Sequence, residues 1–472
     1  MIIHVVKSGE TLWQISNNYG VPLSKTLSAN KLPNPNQLLI GQSIIIPKEG
    51  VYHVVKRGES LWSIAQTYKT TVDAIMRNNQ IANPNSIYPG LKIFIPAPTH
   101  QVRPGETLTQ IAKRYGVTLQ DLIKVNNIVD PNVVYTGTVL IIPIKVRPLM
   151  NVNAYIYQFG EQAVPIINEV GKSLTYLSPF AYLIKEDGSM EPIEDVPAIR
   201  AAVANNAVPM MAITNFTSTQ LGENLAHVVL SSVEIQNTLI TNIINIMKEK
   251  NYKGVNIDFE NVLPGDRELY NQFLQRTVDR LHPLGYFVST ALAPKTSGEQ
   301  AGPLYEAHDY PAHGRIADFV ILMTYEWGYR LGPPRAISPL NEIKKVLDYA
   351  VTVIPRNKIY FGFQLYARDW VLPHVQGQEA QTFSVQEAIR RGVRYGSVIQ
   401  YDNIAQSPFF RYKNENGIMH EVWFEDARSA QAKFDMVKAY NLGGISYWAL
   451  GYPFPQNWTL LEDNFTIRKI TG

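Results

Sequence analysis

Three segments of this chain, residues 3–47, 52–96 and 99–143, align with one another without a gap. A repeat of this length restricts the N-terminal third to small units that close on themselves or stack on a neighbour. Each opens on a short β-type run: His4-Val5-Val6, His53-Val54-Val55, and Gln101-Val102 in the third. A turn follows, with its glycine at Gly9, Gly58 and Gly105. Next comes a helical pattern of apolar residues: Leu12, Ile15 and Tyr19; Leu61, Ile64 and Tyr68; Leu108, Ile111 and Tyr115. Thr11, Ser60 and Thr107 stand where N-caps are expected. A second helix ends near Asn30, Asn79 and Asn126. The unit closes in a strand ending at Pro47, Pro96 and Pro143. The order strand, helix, helix, strand gives every unit its own strand pair. Linkers such as Lys48-Glu49-Gly50 separate the units, so beads on a string are expected rather than a solenoid.

These units closely resemble the LysM module, three times over nearly all of residues 3–143. The resemblance implies three βααβ modules, at 1–48, 51–97 and 98–147, that bind N-acetylglucosamine in chitin or peptidoglycan. The sugar groove it implies has two walls. One is the first turn: Gly9-Glu10-Thr11-Leu12, Gly58-Glu59-Ser60-Leu61 and Gly105-Glu106-Thr107-Leu108. The other is Asn30 to Pro33, Asn79 to Ala82 and Asn126 to Val129. The alternative is that the glycines and leucines serve only turn and core. Three weak sites in tandem gain affinity for a polymer through effective concentration.

Charge is divided unevenly. Residues 1–147 hold 15 Lys and Arg against 7 Asp and Glu, a net of +8, which leaves 28 against 33, or −5, for the remainder. A basic front suggests a polyanionic partner such as a wall polymer or nucleic acid; the alternative is a solvated face without a partner. There is no cysteine. That excludes disulfide scaffolds, cysteine nucleophiles and Cys-ligated metal. No apolar run is long enough for a membrane span.

From about residue 150, short apolar runs alternate with helical patterns. Candidate strands cover 152–159, 178–184, 208–214, 254–260, 286–292, 317–325, 358–366 and 444–450. Helical stretches lie between them at 196–205, 233–250, 266–282, 340–353 and 427–440. Such alternation means a parallel sheet. Eight strands fit an α/β TIM (β/α)8 barrel over 148–472. A doubly wound sheet is the competitor, but the chain has neither GxGxxG nor GxxxxGK[ST]. Residues 371–426 are too long for one connection and read as a small α+β insertion after strand seven. It holds a helix near Ser384–Arg391 and a hairpin, 408–413 and 417–424.

Chemistry concentrates in Lys253-Gly254-Val255-Asn256-Ile257-Asp258-Phe259-Glu260. On a strand, Asn256, Asp258 and Glu260 share one face, which in a barrel points inward. Two carboxyls so placed are costly unless paired or used, and their pKa values should separate. The alternative is a buried polar pair bonded to Lys or Arg.

This stretch resembles the DxxDxDxE signature of glycoside hydrolase family 18, with Lys253 and Asn256 in place of the first two Asp and Phe259 for the usual Trp. Met323-Thr324-Tyr325-Glu326 is similar to the family's M-x-Y-D element. Gly362-Phe363-Gln364-Leu365-Tyr366-Ala367-Arg368 is similar to its G-x-P-x-Y-G-R pattern, and Trp448 to its aromatic floor. The resemblance implies substrate-assisted, retaining hydrolysis at an N-acetyl sugar, without metal or organic cofactor. Glu260 is then the general acid and base, Asp258 holds the acetamido N–H, Tyr325 its carbonyl, and Trp448 lies beneath it. The sugar contacts expected are Asn256, Met323, Glu326, Gln364, Tyr366 and Arg368, with Asn215 and Tyr157 near strand ends. Trp327, Tyr329 and Trp370 are further stacking candidates. His308 and His313 read as a surface loop or a zinc pair.

Joining LysM modules to such a barrel resembles the spore cortex-lytic N-acetylglucosaminidases of endospore formers. Implied partners are peptidoglycan or chitin-type polymers, without nucleic acid or membrane insertion. No export signal precedes the first module, which suits packaging into spore outer layers or the wall. The competing readings are a chitinase or endo-β-N-acetylglucosaminidase, and a non-catalytic wall-binding coat protein.

Overall fold

The computed structural model describes residues 1–144, 146–216 and 222–470. The chain divides into two compact units, one of Met1–Leu38 with Ser43–Arg147 and one of Leu39–Gln42 with Pro148–Gly472.

The first unit holds three modules of one design. Each pairs two short antiparallel strands: Ile2–Val5 with Ser43–Ile46, Gly50–Val54 with Lys92–Pro96, and Thr99–Gln101 with Val139–Ile141. Two helices lie between the strands, as in Leu12–Asn18 and Leu23–Asn30 of the first module. The first helix starts where the sequence supplies a cap. Thr11, Ser60 and Thr107 each accept a backbone N–H three residues on and complete a capping box. The cores are small. Leu12, Ile15, Ile44 and Ile46 are among the buried aliphatics of the first, and each side chain contributes roughly 1.5–3 kcal/mol.

Polar side chains make up for so small a core. His4 Nε2 lies 2.8 Å from Glu10 Oε2, and its Nδ1 lies 3.1 Å from the Tyr19 hydroxyl. A carboxylate only accepts, so the imidazole donates to Glu10 and accepts from Tyr19. Glu10 also accepts the Lys7 N–H at 2.7 Å, which locks the first turn. The same chain recurs in His53, Glu59 and Tyr68, and in His100, Glu106 and Tyr115. The structural counterpart of His4 is therefore His100, one residue before the Gln101-Val102 run that the sequence pattern points to.

In the second unit eight parallel strands close into a barrel in chain order. They are Leu149–Ile156, Tyr176–Pro179, Val208–Thr214, Gly254–Asp258, Phe287–Leu292, Phe319–Leu322, Ile359–Gln364 and Gly444–Leu450. All eight expected strands are present, and the TIM barrel stands in place of a doubly wound sheet. The barrel's N-terminal end is filled by rings: Tyr176 packs on Phe287 and Phe319, and Phe319 stacks on Tyr360 at 4.1 Å. Glycines make this possible. A Cβ on Gly254 would lie 2.3 Å from the Phe287 ring.

The insertion begins earlier than 371. Its first strand is Tyr366–Leu372, and with Gln381–Ser384, Gln400–Asp402, Ser407–Lys413 and Met419–Trp423 it forms a five-stranded antiparallel sheet. Tyr366 and Arg368 thus belong to the insertion, not to barrel strand seven. Trp370 is 1% exposed in its core and donates to the Gly332 carbonyl, so it offers no ring to a sugar.

Candidate functional site

Strand four ends at Asp258, two residues short of the expected end. Beyond it the backbone is taken by side chains instead of strands. The Phe259 carbonyl accepts from His308 Nε2 at 2.9 Å. The Glu260 N–H donates to Asn215 Oδ1 at 2.9 Å, and the Glu260 carbonyl accepts from Asn215 Nδ2 at 2.8 Å. Asn215 therefore fixes the Glu260 peptide and is not free to meet a sugar.

Asp258 is 4% exposed, and its Oδ1 has no hydrogen-bond partner. Burial, and then the neighbouring Glu260 charge, push its carboxyl well above the usual range. Glu260 is half-buried. Burial, reinforced by Glu326, pushes it up to about 7. Two carboxyls that repel each other in a desolvated site keep a shared proton at neutral pH.

Asn256 sits one step deeper in the barrel. Its Oδ1 accepts from the Tyr155 hydroxyl at 2.7 Å, and its Nδ2 donates to Ser289 Oγ at 3.0 Å. With both ends of the amide used, Asn256 supports the site from below and is not a sugar contact. Tyr155, which the sequence reading missed, bridges that layer to the floor, its ring edge-on to Trp448 at 5.5 Å. Phe180 meets the same indole at 4.7 Å.

Tyr325 follows strand six, and its hydroxyl is held well above its ordinary pKa by burial and by Asp258. Gly362 makes room for it: a Cβ there would lie 3.0 Å from the Tyr325 ring. The next residue, Glu326, has φ +70°, a left-handed conformation that costs energy for a residue with a side chain. What holds it is a fork of bonds. Arg368 donates to both Glu326 oxygens, at 2.7 and 2.8 Å, and the Tyr366 hydroxyl donates to one of them. Gln364 Nε2 donates to Glu425 Oε1 at 2.8 Å, while its own buried Oε1 has no partner. Met323 is half-buried at the end of strand six. Tyr157 stands at the rim against Tyr452, which in turn packs on Tyr366.

His308 and His313 are buried rather than on a surface loop. His308 Nδ1 accepts the Ala293 N–H, and Nε2 is used on Phe259. Burial holds their pKa down, to about 4 for His308 and about 3 for His313. Among the described residues no group of three His, Asp or Glu is placed to hold a metal ion.

In the modules, several residues expected in the sugar groove serve the fold. Asn30 Nδ2 donates to the Ile45 carbonyl at 2.7 Å, and its Oδ1 accepts the Ile45 N–H at 2.8 Å. Asn79 grips Phe94, and Asn126 grips Ile141, in the same way. These amides stand in for a missing neighbouring strand. Leu12, Leu61 and Leu108 are core. Gly9, Gly58 and Gly105 occupy left-handed turn positions.

Residues 154–452 match Glycosyl hydrolases family 18, and residues 4–47, 53–96 and 100–143 match the LysM domain. The chain is 44% identical over 479 residues to a cortical fragment-lytic enzyme of Bacillus subtilis (strain 168), covering 100% of both. It is 46% identical over 311 residues to the enzyme of that name from Bacillus anthracis, covering 66% of this chain and 72% of the relative. The crystal structure of the Bacillus megaterium QM B1551 spore cortex-lytic enzyme SleL superposes with a TM-score of 0.79 at 38% identity, covering 99% of each chain. The chain is thus a glycoside hydrolase that belongs to family 18 and carries three LysM modules ahead of its barrel.

Proposed function

We propose that this hydrolase is a spore-cortex peptidoglycan N-acetylglucosaminidase, held on its substrate by the modules and working by substrate-assisted, retaining hydrolysis. One observation carries the reading. Glu260 is a half-buried carboxyl pushed up to about 7, beside a deeply buried Asp258 with an unpartnered oxygen. In the first step the substrate's acetamido oxygen attacks its own anomeric carbon. The glycosidic bond breaks, and Glu260 gives its proton to the leaving oxygen. The Asp258 carboxylate accepts the acetamido N–H and stabilises the oxazolinium ion. Binding that N–H draws the pair's negative charge to Asp258 and its proton to Glu260. In the second step Glu260, now ionised, takes a proton from water as the water opens the oxazolinium ring, which retains the anomeric configuration. Tyr325 holds the acetamido carbonyl over Trp448.

The peptidoglycan assignment is supported by full-length similarity to a relative named a cortical fragment-lytic enzyme and by the basic N-terminal third. Action at the spore's outer layers follows from the same reading. The test is to incubate the protein with purified cortex fragments and identify the products by mass spectrometry, beside Glu260→Gln. New reducing-end N-acetylglucosamine from the parent alone is expected. No new ends from either protein, with both still pelleting on the wall, would leave a binding protein instead.

A further inference from the structure

The unit that carries the modules is strongly basic, with a net charge of +8 over residues 1–147. The first two modules meet at a packed seam. Phe94 of the second is 1% exposed within the first module's core cluster, and Gln80 Nε2 donates to the Tyr19 hydroxyl at 3.2 Å. Beside this seam lies a cleft of about 630 Å³. It is bounded by the end of the first module's first helix, the linker at Lys48, the turn and second helix of the second module, and the stretch Pro96–Thr99 that leads into the third. None of its lining residues belongs to either implied sugar wall.

Its chemistry is one-sided. Lys48, Lys69 and Arg77 line it, and no Asp or Glu does. Lys48 is half-buried, and Nζ donates to the Tyr19 carbonyl at 2.9 Å. Burial, and then the Arg77 charge, depress its pKa. Among the described residues no carboxylate pairs with any of the three. Asn78 also lines the cleft. It is 7% exposed, and its Oδ1 has no hydrogen-bond partner. Like charges gathered in a partly desolvated cleft, beside an unpaired buried acceptor, fit a ligand that brings negative charge and a hydrogen-bond donor.

We propose that this cleft is a second binding site, which takes a carboxylate of peptidoglycan together with a neighbouring N–H or O–H group. The carboxylate has two sources, the lactyl ether of the glycan and the stem peptide. The proposal rests on peptidoglycan being the polymer. It gives the modules a means of telling a carboxylated glycan from neutral chitin.

The test uses the full chain carrying Glu260→Gln, so that no probe is cleaved, and calorimetric titration with three probes. These are chitotetraose, the N-acetylglucosamine–N-acetylmuramic acid disaccharide with a free lactyl carboxylate, and that disaccharide bearing a tetrapeptide stem. A carboxylated probe should bind roughly tenfold tighter than chitotetraose at low salt, and the advantage should fade as salt rises. Lys48→Gln with Arg77→Gln should remove that advantage and its salt dependence while leaving chitotetraose affinity unchanged. Whichever carboxylated probe carries the advantage identifies the source. If the double variant keeps the preference, the cleft assignment is wrong and the peptidoglycan reading stands. If the parent shows no preference yet native enzyme releases cortex muropeptides, the cleft assignment again fails alone. If native enzyme releases none, the peptidoglycan reading itself fails.

Discussion

Asn215 grips Glu260 by both halves of its backbone, accepting the N–H at 2.9 Å and donating to the carbonyl at 2.8 Å. One amide thus fixes the residue that carries the proton in the proposed reaction. Asn215→Ala should lower kcat by roughly 10–100-fold, because a misplacement of about 1 Å costs on that order. KM should change little. Asn215→Asp keeps the acceptor and should recover part of the loss. A merely structural role would instead lower the melting temperature and leave kcat per folded molecule intact.

Glu326 is one of two causes that raise Glu260, after burial. The acid must be protonated to act, so kcat/KM should fall as pH rises through about 7. Glu326→Gln removes the neighbouring charge, lowers the Glu260 pKa and should move this alkaline limb to lower pH. A pH–rate profile decides the point, and an unmoved limb would assign the shift to burial alone.

The same raised pKa affects stability. Folded Glu260 holds its proton up to about 7, from an ordinary value of 4.5. The folded state therefore binds more protons between those values, and stability is lost as pH rises through that window. Glu260→Gln should be the more stable protein at pH 8, by on the order of 3 kcal/mol, and should match the parent below pH 4. Denaturant titrations at the two pH values measure the difference.

Short apolar runs set between helical patterns made all eight barrel strands legible, because a strand covered on both faces is apolar along its length. The carboxyl pair was legible because its spacing is local. The contacts that define the site come from distant stretches, and no local period carries them. Strand four stops at Asp258 because His308 and Asn215 take the next backbone groups, and both lie more than 40 residues away. Tyr155 lies on strand one, so its bond to Asn256 leaves no mark in the sequence around either. Asn30, Asn79 and Asn126 resemble polar turn residues in composition. Their bonds to the last strand follow from a two-stranded sheet whose last strand has an open edge to satisfy.

That edge makes a direct prediction for the third module. Asn126→Ala leaves the Ile141 N–H and carbonyl without their side-chain partner. The cost should be about 1–3 kcal/mol, a large share of what so small a core supplies. Hydrogen exchange should show the third module opening while the barrel keeps its protection. Equal protection throughout would return Asn126 to the groove.

Beneath the site, Lys433 donates to Glu425 Oε2 at 2.7 Å, and the two side chains are 0% and 1% exposed. The other Glu425 oxygen accepts from Gln364, which pairs with Trp448 in the strand register. Lys433→Met strands a buried carboxylate and should cost about 3–5 kcal/mol. Adding Glu425→Gln removes the stranded charge and keeps an acceptor for Gln364, so the double variant should be more stable than the single one. Denaturant unfolding of the parent, both single variants and the double variant gives the coupling. Additive losses would mean that the two charges are satisfied independently, and Gln364 would then owe its orientation to strand packing alone.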